Sequence, residues 1–554
     1  MSAGIWSLVP FLVVIPIAMW TRQVLPGLLA GLLVGAYMQD PTPLGGIDAA
    51  LAYIAKELAI PDNLRLVIFL YGFGAFVGLV RVTGGVSGFA HWMADRVMSV
   101  RGAFAVTWVS SLVTFMAPDF RIITVAPVMR RIFERLRVPA ERVAFTIDAT
   151  STPVCALVPV GTAFVGYMVG LIATSARHQT LPGSPYHLYL MSIPLNFFSW
   201  LILAYTLVLS FRASPRAERR EAAQRRAEDE RRAAGRGTVP AFPRPARLSA
   251  ETRLKMASQF ARAEFGAELP PDLPPRERPA AAEGRSARRA DERTAVSEGQ
   301  PERWPAEGSA AADALNPPDP VEFVSERIPP RLVNLAVPLL ILLGLTLFLT
   351  WWDGRGKAPN VWGALAQANA AKAMLEALLI TLLAAFVWYT AQRVPVERTV
   401  FGILAGGNEM MGVIVLLALV WSVSAVSTDL GFADYVERTI GRAVPAAFVA
   451  PALFLFGCAI SYVIGSSFGT WGMLLPLGFS LAASTHTPLP LIAGAVFASG
   501  TFGGFASPLS DNTVAMATVM KLPVMDYARH KLKPALWAAA GSALLYAAAG
   551  WVVS

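Results

Sequence analysis

Residues 332–352 read LVNLAVPLLILLGLTLFLTWW, an apolar stretch that carries no charged side chain. The hydrocarbon layer of a bilayer is about 30 Å thick, so a helix needs roughly 20 apolar residues to cross it. Lipid offers the backbone no hydrogen bonds, so only helices or closed barrels can span it. Comparable stretches recur at 5–20, 25–38, 66–80, 188–211, 374–389, 411–426, 447–464 and 535–553. They lack the alternation of a barrel strand, so the sequence predicts an all-α polytopic membrane protein.

The composition supports the same class. The 554 residues are 55% hydrophobic and 15% charged, with a mean hydropathy of +0.50, which is too apolar for a soluble chain of this length. The net charge of +9 has a simpler cause than nucleic acid, because membrane proteins retain Lys and Arg on cytoplasmic loops. The two cysteines, Cys155 and Cys458, lie in apolar segments, so we expect neither a disulfide framework nor a metal-ligand cluster. No cofactor is predicted.

The basic residues between apolar stretches predict the orientation. They form three clusters: Arg130, Arg131, Arg135, Arg137 and Arg142; Arg393 and Arg398; and Lys521, Arg529, Lys531 and Lys533. The positive-inside rule places all three in the cytoplasm. We therefore expect a multi-pass protein of the cell membrane.

The chain divides into two hydrophobic halves, 1–211 and 331–554, joined by a segment of different character. Residues 212–330 are rich in Arg, Glu, Ala and Pro and have almost no aliphatic clusters. Such a segment cannot bury enough apolar surface to offset its ordering entropy, so a disordered cytoplasmic linker is predicted. It is either a regulatory or partner-binding segment or an insertion of the kind that long surface loops tolerate.

The same sequence features occur in the same order in both halves, which predicts inverted repeats with broken or re-entrant helices. In the first half an apolar helix is followed by a break at 117–121 and then by a polar segment at 147–153. In the second half a break at 461–472 precedes a polar segment at 505–513. Transporters built in this way bind ions near the midplane, where helices break and expose carbonyls and helix ends.

Three carboxylates lie in these interrupted segments. A carboxylate near the bilayer centre costs about 2.5–3.5 kcal/mol on insertion scales, so Asp119, Asp148 and Asp511 are candidate ion or proton sites. Asp119 follows Pro118, which removes a backbone donor and opens the helix. Asp119 could equally pair with Arg121 or lie just outside the lipid.

Hydroxyl groups accompany the other two carboxylates. Asp148 precedes Thr150 and Thr152, and oxygen ligands at such density suit a hard cation. The alternative is an Asp near a helix start, since Arg142 is about a turn and a half away.

Asp511 is surrounded by Ser507, Ser510, Asn512 and Thr513 within a segment of mostly Gly, Ala and Phe. The same residues could form an N-cap in which Ser510 or Asp511 caps the following helix. Both roles can hold at once, because a helix N-terminus and the carbonyls before it can share one cation site.

A further polar break at 465–472 contains Ser466, Ser467 and Thr470. These side chains could bind the ion directly. Alternatively, the small residues of this segment let two helices approach closely.

Three motifs together resemble the NhaC-type sodium/proton antiporters of the ion transporter superfamily. They are residues 507–513, the break at 465–472 with the following 473–477, and residues 147–154. The likeness covers both hydrophobic halves and implies exchange of cytoplasmic sodium for external protons. The family's relatives include sodium-coupled antiporters of small organic acids.

This chain departs from the family pattern in two places. The family's paired acidic residues appear as Pro118-Asp119, and its Asp-Thr-Thr appears as Asp511-Asn512-Thr513. Losing one carboxylate would change the ion stoichiometry or the substrate. The linker at 212–330 has no counterpart in the family pattern.

The sequence thus predicts a secondary active transporter that exchanges sodium for protons. A carboxylate held partly away from water can bind a proton or a sodium ion, each excluding the other. Asp511 and Asp148 are the first candidates, Asp119 is the next, and Ser, Thr and Asn oxygens complete the coordination.

A sodium- or proton-coupled transporter of a small organic acid or amino acid is the alternative, with Arg121 or the helix N-terminus near Ser510 binding the substrate carboxylate. An intramembrane enzyme is not expected, because the sequence has no His-Glu-x-x-His motif or comparable catalytic pattern. The expected partners are sodium ions, protons and membrane lipid, and a homodimer is compatible with this class.

Overall fold

The computed structural model describes residues 5–212 and 331–553, with gaps at 86–87, 90–98, 113, 116, 137, 160–161, 177–182, 359, 433–434, 436–438 and 440–444. All described residues belong to one compact unit. The predicted linker lies outside the described residues except for Arg212, which ends a helix.

The described part of the first half is helical. A 3₁₀ turn at Ile5–Leu8 leads into eleven helices: α1 Val9–Thr21, α2 Val24–Gln39, α3 Gly45–Leu58, α4 Pro61–Val82, α5 Val100–Ser111, α6 Pro118–Arg135, α7 Ala140–Ala149, α8 Thr152–Cys155, α9 Ala163–Ser175, α10 Pro185–Ser192 and α11 Phe197–Arg212.

The described part of the second half is helical as well. Its helices are α12 Val333–Gly354, α13 Val361–Gln367, α14 Ala370–Ala391, α15 Val396–Glu409, α16 Met411–Asp429, α17 Ala446–Ile464, α18 Ser467–Thr485, α19 Leu489–Ala506, α20 Asp511–Val519 and α21 Val524–Val553. Within the described ranges there is no strand, so the predicted all-α class is confirmed.

Many of these helices can cross a bilayer. Among the described residues, seven segments are long and apolar enough to cross a bilayer, counting two adjacent helices as one segment where they run on from each other. Helices α10 and α11, which meet at a bend of 41°, form an eighth if they are counted as one span. Three shorter apolar helices, Trp6–Thr21, Val24–Gln39 and Ala163–Ser175, add to them. The chain is therefore an integral multi-pass membrane protein.

Helix breaks occur where the sequence predicts them. Between α17 and α18, Gly465 has a φ of 78°, a left-handed conformation that glycine adopts at low cost. Ser466 then caps α18, because its Oγ accepts a hydrogen bond from the Gly469 N–H. Further breaks separate α7 from α8 and α19 from α20. The broken-helix part of the prediction is confirmed, and the inverted symmetry of the halves stays a prediction.

Both halves contribute to each of two helix groups. The first group consists of α1–α4 with α12 and α14–α16. The second consists of α5–α8 and α11 with α17–α21, and it contains the breaks. Helix α9 lies between the groups, packed on α4, α16 and α18.

Helices α4 and α15 meet along a glycine seam formed by Gly74 and Gly78 on α4 and Gly402 and Gly406 on α15. A Cβ atom on Gly74 would collide with the Gly406 carbonyl oxygen, and one on Gly78 with the Gly402 carbonyl oxygen. Small residues allow backbones to pack this closely in membranes. The seam joins the two halves of the chain inside the first group.

Candidate functional site

An ion pair lies inside the second helix group. The Lys531 Nζ is 2.6 Å from the Asp148 Oδ2, and both side chains are 0% exposed. Asp148 lies near the end of α7 and Lys531 near the start of α21, so the pair joins the two halves.

Neighbouring side chains hold this pair by hydrogen bonds. The Tyr527 hydroxyl donates to the Asp148 Oδ2 at 2.8 Å, and the Lys531 Nζ donates to the Thr513 Oγ1 at 2.6 Å. Thr513 in turn donates to the Ser507 carbonyl oxygen at 2.7 Å. Tyr527 and Lys531 are four residues apart on α21 and therefore lie on one helix face.

Two aromatic rings complete the surroundings of the ammonium group. The Lys531 Nζ lies 5.1 Å from the Phe505 ring centroid and 4.7 Å from the Tyr527 ring centroid, within the range of cation–π attraction. The second carboxylate oxygen, Asp148 Oδ1, is buried and has no hydrogen-bond partner among the described residues. The carboxylate thus keeps an oxygen for a further proton or cation.

The break between α19 and α20 is held by its own hydroxyl groups. Ser510 Oγ donates to the Gly504 carbonyl oxygen at 2.6 Å, and Ser507 Oγ donates to the Tyr462 carbonyl oxygen at 2.6 Å. Ser510 occupies the position before α20, but its side chain makes no capping hydrogen bond. The N-cap interpretation of Ser510 is therefore wrong, because its hydroxyl serves the preceding turn.

The polar segments of the two halves also touch directly. The Asn512 Nδ2 donates to the Thr152 Oγ1 at 2.7 Å, and both side chains are buried. This contact brings two of the candidate ligands, Thr152 and Asn512, together near Thr513, which contacts the ion pair.

Asp511 lies outside this network of buried hydrogen bonds. Its side chain is exposed, and among the described residues its carboxylate has no hydrogen bond or ion pair. Asp511 does not join the buried Asp148–Lys531 pair, and its part in ion exchange stays a prediction. Its backbone lies beside the site, two residues before Thr513, and its side chain lies on the exposed side of α20.

Thr150 contacts a second buried charge, Arg121. The Arg121 Nη2 donates to the Thr150 Oγ1 and the Thr107 carbonyl oxygen, each at 2.8 Å. Its Nη1 donates to the hydroxyls of Ser110 and Thr114, each at 3.0 Å. Thr150 is thus a ligand of the guanidinium group. Asp119 lies in α6, but its side chain is outside the described part of the chain.

The hydroxyls of the break at 465–472 serve helix packing. Ser467 Oγ donates to the Gly500 carbonyl oxygen at 2.9 Å, which ties α18 to α19. Thr470 Oγ1 donates to the Ser466 carbonyl oxygen at 2.8 Å within its own helix. The structure therefore favours the packing interpretation of Ser467 and Thr470.

Sequence reasoning missed Lys531 and Tyr527. It grouped Lys531 with Lys521, Arg529 and Lys533 in a cluster predicted to be cytoplasmic; these three other side chains are exposed. Helix α21 begins at Val524, so Lys531 lies seven residues, or roughly 10 Å, inside it. The available signal was the spacing of Tyr527, Lys531 and Ala535, which repeats every four residues and continues the buried face of the helix.

Comparison with known proteins bears on the family and the fold. Residues 316–551 match the Na⁺/H⁺ antiporter family. The chain is 23% identical to an uncharacterised protein of Haemophilus influenzae over 100% of its own length and 92% of that protein.

Two Bacillus subtilis antiporters are also similar to this chain, but they align over shorter ranges. The malate-2H⁺/Na⁺-lactate antiporter is 33% identical over 19% of this chain and 24% of its own length. The Na⁺/H⁺ antiporter NhaC is 29% identical over 28% of this chain and 33% of its own length.

One solved structure shares the fold. The YdaH transporter of Alcanivorax borkumensis superposes with a TM-score of 0.50 over 90% of this chain and 86% of its own, at 13% sequence identity.

The fold and these likenesses define the class of the protein: it is a secondary active transporter. More specifically, the chain matches the Na⁺/H⁺ antiporter family over residues 316–551 and is related in part to NhaC. The resemblance to NhaC-type antiporters predicted from the motifs is thereby confirmed.

Proposed function

We propose that this protein exchanges sodium ions for protons across the cell membrane and that Asp148 and Lys531 form the exchange site. The observation that carries the proposal is their fully buried ion pair. Burying two charges costs desolvation energy that their attraction does not reliably repay, so stability alone is a poor reason for the pair. Ionisable residues inside a membrane bundle commonly lie on ion or proton pathways.

The ammonium group marks the position of a cation. Its Nζ touches the Asp148 Oδ2 and the Thr513 Oγ1, and Thr513 also touches the Ser507 carbonyl oxygen. When Lys531 loses its proton and moves aside, the first two oxygens are left to bind sodium, and the Asp148 Oδ1 can join them. Oxygen ligands of this type suit a hard cation.

The charge balance of this step fixes its stoichiometry. Protonated Lys531 and ionised Asp148 sum to zero, and so do a sodium ion, ionised Asp148 and neutral Lys531. The pair therefore exchanges one sodium ion for one proton without a change in its own net charge. Reprotonation of Lys531 expels the sodium ion and resets the site.

Alternating access requires that the site open to each side in turn. In transporters with broken helices, one bundle moves against the other around the site. We assign this movement to the second helix group, because it contains both the pair and the breaks beside α8 and α20. The functional partners are then the sodium ion, the proton and the lipid of the cell membrane, and the protein can work singly or as a homodimer. Asp119 and the linker at 212–330 stay secondary candidates for proton transfer and regulation.

Transport of a small organic acid is the second candidate. It is favoured by the buried Arg121 next to Thr150 and by the likeness to the malate-2H⁺/Na⁺-lactate antiporter. However, both terminal nitrogens of Arg121 already donate to four protein oxygens. A substrate carboxylate would have to displace these hydrogen bonds, so the Asp148–Lys531 pair is the better-supported site.

The decisive experiment uses the full chain, purified and reconstituted in liposomes that contain a pH-sensitive dye. An inward sodium gradient should drive proton movement in the opposite direction, and lithium or potassium gradients give its ion selectivity. Lys531→Met should abolish the response, since no proton can be released at that position. Proton movement that needs lactate or malate besides sodium would instead support the organic-acid transporter, and a fully active Lys531→Met protein would contradict the proposed site.

A further inference from the structure

Helix α20 has one exposed face that runs from the helix break to its end. The exposed positions are Asp511, Val514, Thr518 and, just beyond the helix, Lys521. Their spacing of three, four and three residues places them in line along one side of the helix. The residues between them on the opposite side, Met516 and Ala517, are fully buried.

The outer end of this face is basic. The Arg130 Nη1 donates to the Val519 carbonyl oxygen at 2.7 Å, so the end of α20 lies beside the second half of α6. Arg131 and Arg135, which follow on α6, are exposed, and so is Lys521 just beyond α20. The positive-inside rule assigns such an end to the cytoplasm.

The inner end of the face lies at membrane depth. Asp511 precedes Val519 by eight residues, which corresponds to roughly 12 Å along the helix. It lies in the candidate span Leu489–Val519, directly after the break between α19 and α20. An exposed carboxylate with no partner among the described residues is strongly disfavoured in hydrocarbon. Polar groups at this depth are tolerated where they line a water-filled cavity.

The same point of the helix adjoins the ion pair. Thr513 follows Asp511 by two residues and is buried against the Lys531 ammonium group, whereas Asp511 faces outward. A hydrated ion that reaches Asp511 is therefore separated from the pair by little more than the first turn of α20.

We infer that the exposed face of α20 lines a water-filled passage from the basic, cytoplasmic end of the bundle to the Asp148–Lys531 pair, with Asp511 attracting the cation at its inner end. The identity of the cation rests on the proposed function, but the passage itself can be tested without any transport assay. An attracting carboxylate acts through its field, so salt should screen its effect.

Cysteine labelling tests the passage. The parent chain is a suitable background because Cys155 and Cys458 are buried. Val514→Cys is compared with Ile380→Cys, since these side chains have similar exposure, 42% and 47%, and Ile380 lies in the middle of the lipid-facing span α14. Only a thiol in contact with water ionises and reacts with a charged, membrane-impermeant thiosulfonate reagent. Ala517→Cys is the buried control on α20 itself.

The expected result is that Val514→Cys reacts at least about tenfold faster than Ile380→Cys and Ala517→Cys, and from the cytoplasmic side only. Equal, slow labelling of Val514→Cys and Ile380→Cys would overturn the passage, as would labelling from the external side alone. If Val514→Cys reacts as expected but the parent shows no sodium-driven proton movement, the passage stands and the proposed ion exchange fails.

The role of Asp511 has its own readout. In reconstituted Asp511→Asn protein, the KM for sodium should rise several-fold at low ionic strength, with little change in kcat, and the difference should shrink at high ionic strength. A loss of kcat that salt does not alter would show that Asp511 takes part in the exchange step and would overturn its assignment as an attracting residue.

Discussion

Asp148 and Asp511 lie at comparable positions, each beside a helix break and among hydroxyl-bearing neighbours, yet their surroundings are opposite. Asp148 is fully buried and paired with Lys531 and Tyr527. Asp511 is exposed and has no hydrogen bond or ion pair among the described residues. The difference arises from α21, which brings a lysine and a tyrosine to one carboxylate and not to the other. Local composition identifies candidate carboxylates, but the packing of the helices decides which one is buried in an ion pair.

The largest expected effect comes from Asp148→Asn. This change leaves the Lys531 ammonium buried without its counter-charge, so we expect a loss of about 3–5 kcal/mol in the free energy of unfolding and no sodium-driven proton movement. Thermal unfolding in detergent and the liposome assay measure both.

A double variant separates the two effects. Asp148→Asn combined with Lys531→Met removes both charges, so most of the lost stability should return while transport stays absent. A double variant that is no more stable than Asp148→Asn would contradict the buried pair.

Tyr527→Phe should have an intermediate effect. It removes a hydrogen bond to a charged acceptor, worth about 1.5–3 kcal/mol, and leaves the carboxylate less firmly oriented for sodium. We expect the KM for sodium to rise roughly tenfold, as about 1.4 kcal/mol would produce.

Tyr546→Phe is the matched control on the same helix. Tyr546 is equally buried, but its hydroxyl donates to the Leu195 carbonyl oxygen. It should lose about 1 kcal/mol of stability and keep its sodium dependence. Equal KM changes in the two variants would show that Tyr527 has a structural role only.

Asn512→Ala tests the contact between the two polar segments. It removes the hydrogen bond to Thr152, so we expect a loss of about 0.5–1.5 kcal/mol in unfolding free energy. Asn512→Gln keeps an amide but misplaces it, and it should not restore the full stability. An unchanged melting temperature in Asn512→Ala would show that this hydrogen bond is not formed in the membrane.

The smallest effect on stability is expected for Asp511→Asn. An exposed carboxylate without a partner contributes little, so the unfolding free energy should stay within about 0.5 kcal/mol of the parent value. The role of Asp511 is therefore tested by the KM of this variant for sodium and its dependence on salt, and not by its melting temperature. A loss of more than about 2 kcal/mol would mean that Asp511 is paired, and the contrast with Asp148 would disappear.

Much of the fold can be predicted from the sequence, because each membrane-spanning helix requires a long apolar stretch. The breaks at 465 and 507–510 were visible as Gly, Ser and Pro interruptions, and Asp148 was visible as a carboxylate inside such a segment. Lys531 was not visible, since a lysine near a helix start usually reaches the water. Its burial depends on which helix face meets α7, and that is a tertiary property.

The hydroxyl groups illustrate the same limit. Ser467 and Thr513 are similar side chains in similar breaks, but one donates to a carbonyl of α19 and the other receives the Lys531 ammonium. From the sequence one can tell which hydroxyl-bearing residues lie near a carboxylate along the chain. Only the packing of α18, α20 and α21 determines which of them face a cation.

The close backbone contact between α4 and α15 has a practical consequence for measuring motion. Because Gly74 and Gly78 meet Gly402 and Gly406 with no room for even a methyl group, these helices cannot slide past one another without a collision. Spin labels on the outer surfaces of α4 and α15 should therefore keep a constant separation throughout the transport cycle. This constant distance between α4 and α15 can serve as an internal reference for measuring the displacement of any other helix.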